Sequence, residues 1–528
     1  MEQRTGDNLP AARVLPGVDM PDAEAAADAQ ACAAAAASAL TADDRPLRDM
    51  LRIAAPVVVA MTSFTVMQAV DKLMVSRIGP DPIYVGAQGN GGLASWVPLS
   101  IVVGTINVIN TYVSQNLGNK SPERAPQYAW SGVWIAVLAW LPLLLYAALM
   151  EPMFLWLGHD PARAAMEASY GRPLVIASVI TLSARGFSQF FYGMHMPGVV
   201  LVAELGANLT NFVLNSIFIY GPVAPAASGI GVLDWWYGLT SSTAQSLGIP
   251  RMGVRGAAMG TVCATVVELA IPMAVFLSPR FNRLYNTRAA WKPSLKPIKD
   301  ILRIGWPGGL MFGNEMICWG FFMVYLVGEF GEFHSNAGWI AHQWMSLSFM
   351  PAVGISVAIT AVVGKCMGAR RPDLAARRAW LGLALAAGYM ATMGLLFVVF
   401  REPMVRFFIS GQTPPDDARQ IIEVGTSFMI AAATFQLFDG IAMSLSGALR
   451  GAGDTVWVGV VTVVLSWTVI VGGGLALVRF APSLGSVGPW IAASAYIVLL
   501  AVVCLYRFLS GEWKHIRLVD PLGGVAHG

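Results

Sequence analysis

From Ile53 almost to the end of the chain, stretches of mainly apolar residues recur with only short polar interruptions. Each has the roughly 20 residues that a helix needs to cross a hydrocarbon core. Twelve spans are predicted, at 53–77, 93–117, 127–150, 171–196, 199–221, 254–278, 301–328, 337–363, 376–400, 421–449, 456–480 and 487–509. Only 12% of the residues are charged, about half the share of an ordinary soluble domain, so the polar surface is too small to cover soluble domains. The chain reads as an all-α polytopic membrane protein. A net charge of +3 gives no sign of a nucleic-acid partner, and five scattered cysteines without a CxxC pair suggest neither a disulfide framework nor a zinc cluster.

Residues 1–46 differ in kind: scattered acids run through an alanine-rich tract, which reads as a disordered tail. Asp19, Asp22, Glu24 and Asp28 stand where a signal peptide would carry basic residues, so no cleaved leader is expected. Lys and Arg gather just before the first span (Arg45, Arg48, Arg52) and in 280–303 and 365–378. The positive-inside rule then puts both termini in the cytoplasm.

The chain also matches itself at an offset near 250. Leu51-Arg52-Ile53-x-x-Pro56 returns as Leu302-Arg303-Ile304-x-x-Pro307, and Gly118, Pro122, Ala125, Ala129, Trp130 and Gly132 return as Gly368, Pro372, Ala375, Ala379, Trp380 and Gly382. A six-span unit is duplicated. The expected organisation is an N-lobe at 47–279, a basic cytoplasmic linker at 280–300, a C-lobe at 301–510 and a cytoplasmic tail at 511–528. Six is even, so the two units run in the same direction and are related by an axis along the membrane normal. Parallel repeats of this kind enclose a site between lobes that rock; a purely structural repeat in a channel or scaffold is the alternative.

Ionisable groups within a span are costly and mark function by default. The candidates are Asp71, Arg185, Glu204, Glu268, Glu315 and Asp439, with His342 a weaker one. Glu315 and Asp439 have no basic residue nearby on their own helices, so each is either protonated at rest or holds a cation. Asp71 sits close to the end of the first span, where Lys72 and Arg77 offer a snorkelled ion pair. Asn211 and Asn215 share a helix face, with Asn208 one turn earlier. Arg185 either faces the cavity or pairs with Glu204 on the next span; Glu268 has no assigned role. Phe312, Met345 and Phe435 belong to an apolar set that lines an adaptable substrate cavity or merely packs. Trp235, Trp236 and Tyr237, in a long loop at 222–252 that is a candidate cap, suit the outer membrane interface. No Walker A, HExxH or GxSxG motif is present, so the chain reads as a transporter rather than an enzyme, driven by an H+ or Na+ gradient without another cofactor.

Ala69-Val70-Asp71-Lys72-Leu73-Met74-Val75-Ser76-Arg77-Ile78-Gly79 resembles the "VDTIMVGRLG" signature of the multidrug and toxic compound extrusion (MATE) transporters. Gln115-Asn116-Leu117-Gly118 and Ser446-Gly447-Ala448-Leu449-Arg450-Gly451-Ala452-Gly453-Asp454-Thr455 are similar to that family's "AQxxGAG" and "GxLRGxGDT" stretches. The resemblance implies twelve helices in two lobes and cation-driven export of amphipathic, often cationic, small molecules across a bacterial inner membrane; two duplicated lobes can form a complete transport unit as a monomer. It also implies that Asp71 is the first-helix coupling acid with Asn211 and Asn215 around it. Glu315 and Asp439 fall on the seventh-helix Glu and tenth-helix Asp of the NorM-like branch, a site for H+ or Na+. Arg185 departs from that pattern. A cation in the cavity favours zwitterionic or anionic cargo, with flipping of lipid-linked sugars as the rival function.

Overall fold

The computed structural model describes residues 45–79, 81, 83–225, 231–409 and 414–519; the expected tail at 1–46 lies almost wholly outside them. Eleven helices among the described residues are long and apolar enough to cross a membrane. In chain order they are α1 (Pro46–Ser76), α2 (Ile83–Gly118), α3 (Pro122–Trp156), α5 (Pro197–Tyr220), α6 (Gly253–Leu277), α7 (Leu295–Phe330), α8 (Glu332–Gly368), α9 (Pro372–Val399), α10 (Pro415–Ala452), α11 (Thr455–Phe480) and α12 (Val487–Ser510). The bent pair Pro161–Ile176 and Ser178–Gly193, here α4, supplies a twelfth span. The spans form two sets of six, each set folding largely on itself.

Two spans begin about ten residues earlier than expected. α2 begins at Ile83 rather than 93, because the run Gly86, Gln88, Gly89, Asn90, Gly91, Gly92 is helical although its hydropathy is low. Gly91 lies so close to α4 that a Cβ would collide with the Glu167 carbonyl. α4 begins at Pro161 rather than 171: Asp160 caps it, its Oδ1 accepting from Ala162 N at 2.9 Å, with Pro161 at the first helical position. Its charges are absorbed locally. The fully buried Glu167 carboxyl accepts from Asn90 at 2.7 Å and Arg163 Nε at 3.0 Å, and meets His159 Nδ1 at 2.6 Å. The 50° bend falls at Ala177, one turn after Pro173, which removes a rung from the helix ladder.

The linker folds into a short helix, Pro279–Tyr285, and a turn at Ala289–Trp291, pinned to α3 by Trp130 Nε1 donating to Thr287 O and Trp134 Nε1 to Trp291 O. The loop between α5 and α6 contains a helix, Gly231–Ser246, laid on α5: Trp236 stacks on Phe212 with ring centres 5.6 Å apart and donates to Ser216 Oγ at 3.0 Å.

Between the lobes, α1 packs on α8 and α2 on α7. Among the described residues, every hydrogen bond joining the two lobes lies at the end of the bundle that carries the termini. Asn110 donates to Val357 O, Thr111 to Arg450 O, Gln115 to the carbonyls of Gly451 and Ala452, and His195 Nε2 meets Ala361 O at 3.1 Å. Tyr112 and Tyr128, stacked 4.7 Å apart, add contacts to Asp300 at the start of α7. The lobes are therefore clasped at one end.

Candidate functional site

The N-lobe encloses a cavity of about 430 Å³ bounded by α1, α2, α4, α5 and α6, within the usual size of small-molecule pockets. Among the described residues of the 222–252 loop, none lines it. Two polar centres face it.

The outer centre is built on Asp71. Its carboxyl, in a residue 9% exposed, accepts from Asn215 Nδ2 at 2.8 Å. The Asn215 amide also donates to Asn211 Oδ1 at 2.8 Å, and Asn211 donates to Thr261 Oγ1 on α6 at 3.2 Å. The i, i+4 spacing on α5 thus sets one amide, Asn215, on the carboxyl and a second, Asn211, behind it. Among the described residues no ion pair joins Asp71 to Lys72 or Arg77, and its hydrogen-bond partner is the neutral Asn215. Asn208 points elsewhere, donating to Ser63 Oγ on α1 at 3.1 Å.

Deeper, toward the clasped end, Arg185 of α4 extends between α5 and α6. Its Nη1 donates to Glu204 Oε1 at 3.3 Å, its Nη2 lies 3.8 Å from Glu268 Oε1, and its guanidinium sits 5.5 Å from the centre of the Phe64 ring. Glu268, which the sequence left without a role, is the second acid of this cluster. The signal was available: an acid within a span needs a compensating group, and Arg185 is a cation placed mid-span in the same lobe.

In the C-lobe, Glu315 of α7 and Asp439 of α10 lie close enough to interact electrostatically, and both act on Tyr496 of α12. Neither carboxyl has a hydrogen bond or ion pair to another described residue; Arg450 is the cation whose field reaches Glu315. The Tyr496 hydroxyl is buried without a hydrogen bond. Next to Glu315, Asn314 ties α7 to the π-helical stretch of α11 (Ser466–Gly473), donating to Ser466 Oγ at 2.7 Å and accepting from Trp467 Nε1 at 2.6 Å. Phe435 is 1% exposed and packed in the lobe interior, Phe312 and Met345 are half-buried, and none of the three lines the N-lobe cavity. His342 lies among rings, its own 6.2 Å from Trp319 and 5.6 Å from Trp339. No cluster of three or more His, Cys, Asp or Glu suited to a metal ion occurs among the described residues.

Residues 56–217 and 310–473 each match the MatE family model, one match per lobe. The sequence is 30% identical over 493 residues to the probable multidrug resistance protein NorM of Pseudomonas putida, covering 90% of this chain and 96% of the relative. It is 26% identical over 479 residues to the protein of the same name from Mesorhizobium japonicum, covering 90% and 95%. Among solved structures, a MOP superfamily transporter from Pyrococcus furiosus, described for the reverse polarity of its binding pocket, superposes with a TM-score of 0.77 at 19% identity, over 89% of this chain and 97% of the other. A multidrug resistance MATE family transporter in an outward-facing conformation gives 0.75 at 19% identity, over 88% and 96%. At those identities the likeness is one of fold: a two-lobe bundle built from a parallel repeat.

Proposed function

Because this chain belongs to the MatE family of multi-pass membrane transporters, we propose that it is a cation-coupled antiporter, exporting small amphipathic organic cations by alternating access. It works as a monomer in a bacterial inner membrane. With both termini in the cytoplasm, as the Lys and Arg distribution favours, the clasped end faces inward and the cavity communicates with the outside. Substrate enters a form open to the cytoplasm, the lobes rock, and binding of H+ or Na+ at Asp71, or at Glu315 and Asp439, accompanies release.

The observation that carries this reading is the Asp71 centre: a buried carboxyl on a cavity wall, held by neutral amides and by no fixed counter-ion. Such a group can trade a proton or sodium ion for a cationic cargo, and linkage makes the two compete. The pairing of Arg185 with Glu204 and Glu268 supports cationic over anionic cargo, because the guanidinium is already compensated.

The test is reconstitution in liposomes with a fluorescent organic cation, imposing a pH jump and a sodium jump separately, with Asp71→Asn, Glu315→Gln and Asp439→Asn alongside. Movement driven by one gradient and lost in the acid variants is expected. Movement indifferent to both gradients, or unchanged in all three variants, contradicts the proposal.

A further inference from the structure

In the Arg185 cluster two carboxyl groups face one guanidinium, and one of their oxygens, Glu268 Oε1, has no hydrogen-bond donor. The Glu204 and Glu268 carboxyls also lie close enough to each other to share a proton or a cation. Arg185 donates to Glu204, while its approach to Glu268 Oε1, at 3.8 Å, is too long for a hydrogen bond. Glu268 Oε1 is buried without any hydrogen bond, as is Arg185 Nε, and the Glu268 side chain is nine-tenths buried on the cavity wall. A buried charged oxygen in this state is costly unless a donor reaches it. The surrounding wall is apolar and aromatic, with Phe64, Met67 and Trp96 lining the same cavity.

We propose that Glu268, held in place by the Arg185–Glu204 pair, is the seat of an organic cation whose charged nitrogen carries N–H groups: a protonated amine, amidinium or guanidinium, its apolar body lying against Phe64 and Trp96. A quaternary ammonium supplies the charge but cannot supply the donor that Glu268 Oε1 lacks. The seat is distinct from the Asp71 centre. Glu204 and Asn215 are eleven residues apart on α5, about 16 Å at the rise of an α-helix, so ion and cargo contact different carboxyls of one cavity. This inference deepens the antiport reading and rests on it for the identity of the cargo, but its test needs no gradient.

The experiment titrates purified full-length protein in detergent with 1-naphthylmethylammonium and with its N,N,N-trimethyl counterpart, followed by naphthalene fluorescence. The wild-type protein is expected to bind the primary ammonium at least about tenfold more tightly. Glu268→Gln, and independently Glu204→Gln, which frees Arg185 to pair fully with Glu268, should each erase that preference; if one variant does not fold, the other answers the same question. Equal affinity for the two probes, no binding of either by the wild type, or a preference that survives both substitutions overturns the proposal and points to a proton shared between Glu204 and Glu268. Gradient-driven flux in liposomes without the preference removes this inference alone. The preference without flux removes the antiport reading alone.

Discussion

Gly118 and Gly368 hold the same position in the two repeats, and each is pressed against the other's helix: a Cβ on Gly118 would collide with the Lys365 carbonyl oxygen, and one on Gly368 with that of Gln115. Lys365 and Gln115 are themselves 250 residues apart, so the pseudo-two-fold axis passes through this contact. The motif glycines found by self-comparison therefore form a close backbone contact between the lobes at the clasped end. Gly118→Ala and Gly368→Ala should each penalise the clasped state by about 1–3 kcal/mol, the usual cost of overpacking, and shift the population toward opening at this end by roughly tenfold per 1.4 kcal/mol. Spin labels at Lys120 and Arg370, equivalent loop positions, report the separation; the alanine variants should lengthen it, and an unchanged distance distribution would show that the contact does not limit closure.

His195 should make the clasp acid-sensitive. It lies in the turn between α4 and α5 and reaches Ala361 O across the lobe boundary. Burial, followed by the nearby Lys365 ammonium, pushes it from the ordinary imidazole value down to about 4. The clasped state thus favours neutral imidazole. Its contribution is fully present above the ordinary value of about 6.5 and is lost as pH falls from there toward 4. The Lys120–Arg370 separation should grow over that window in the wild type and stay flat in His195→Gln.

Arg185→Gln should be among the most destabilising single changes in the N-lobe. It leaves Glu204 and Glu268 without their shared cation, and removing one partner of a buried ion pair costs about 3–5 kcal/mol. The double variant Arg185→Gln with Glu268→Gln should recover part of that loss. Thermal unfolding in detergent measures both, and equal stability of the single and double variants would mean that Glu268 does not share the charge.

Glu167→Ala should destabilise the outer half of α4 more than any transport role would require. Three polar partners converge on this fully buried carboxyl, and stranding them costs about 1–3 kcal/mol. Hydrogen exchange in Pro161–Ile176 should accelerate selectively; uniform exchange across the lobe would contradict the assignment.

The spans, the repeat and the candidate acids were legible because each leaves a local mark: about 20 apolar residues, a fixed offset, a charge where none belongs. What escaped depends on which helices face each other. α2 gains its first turns from glycines and amides that look like loop but pack against α4, and α4 hides its charges around Glu167. Glu268 was visible, but its partnership with Arg185 needs α4 and α6 to meet across the cavity. Phe312, Met345 and Phe435 show the converse: aromatic and Met residues at helical spacing carry no mark that separates a cavity wall from packing, and Phe435 lies in the interior.

The most direct test of coupled exchange reverses the cycle. Proteoliposomes loaded with equal ion on both sides receive an inward gradient of organic cation, and intravesicular pH and sodium are followed as it enters. Antiport predicts that entry of the cation drives H+ or Na+ outward, and that Asp71→Asn removes the ion movement with the protein still folded. Cation entry with no opposing ion flux in the wild type would contradict it.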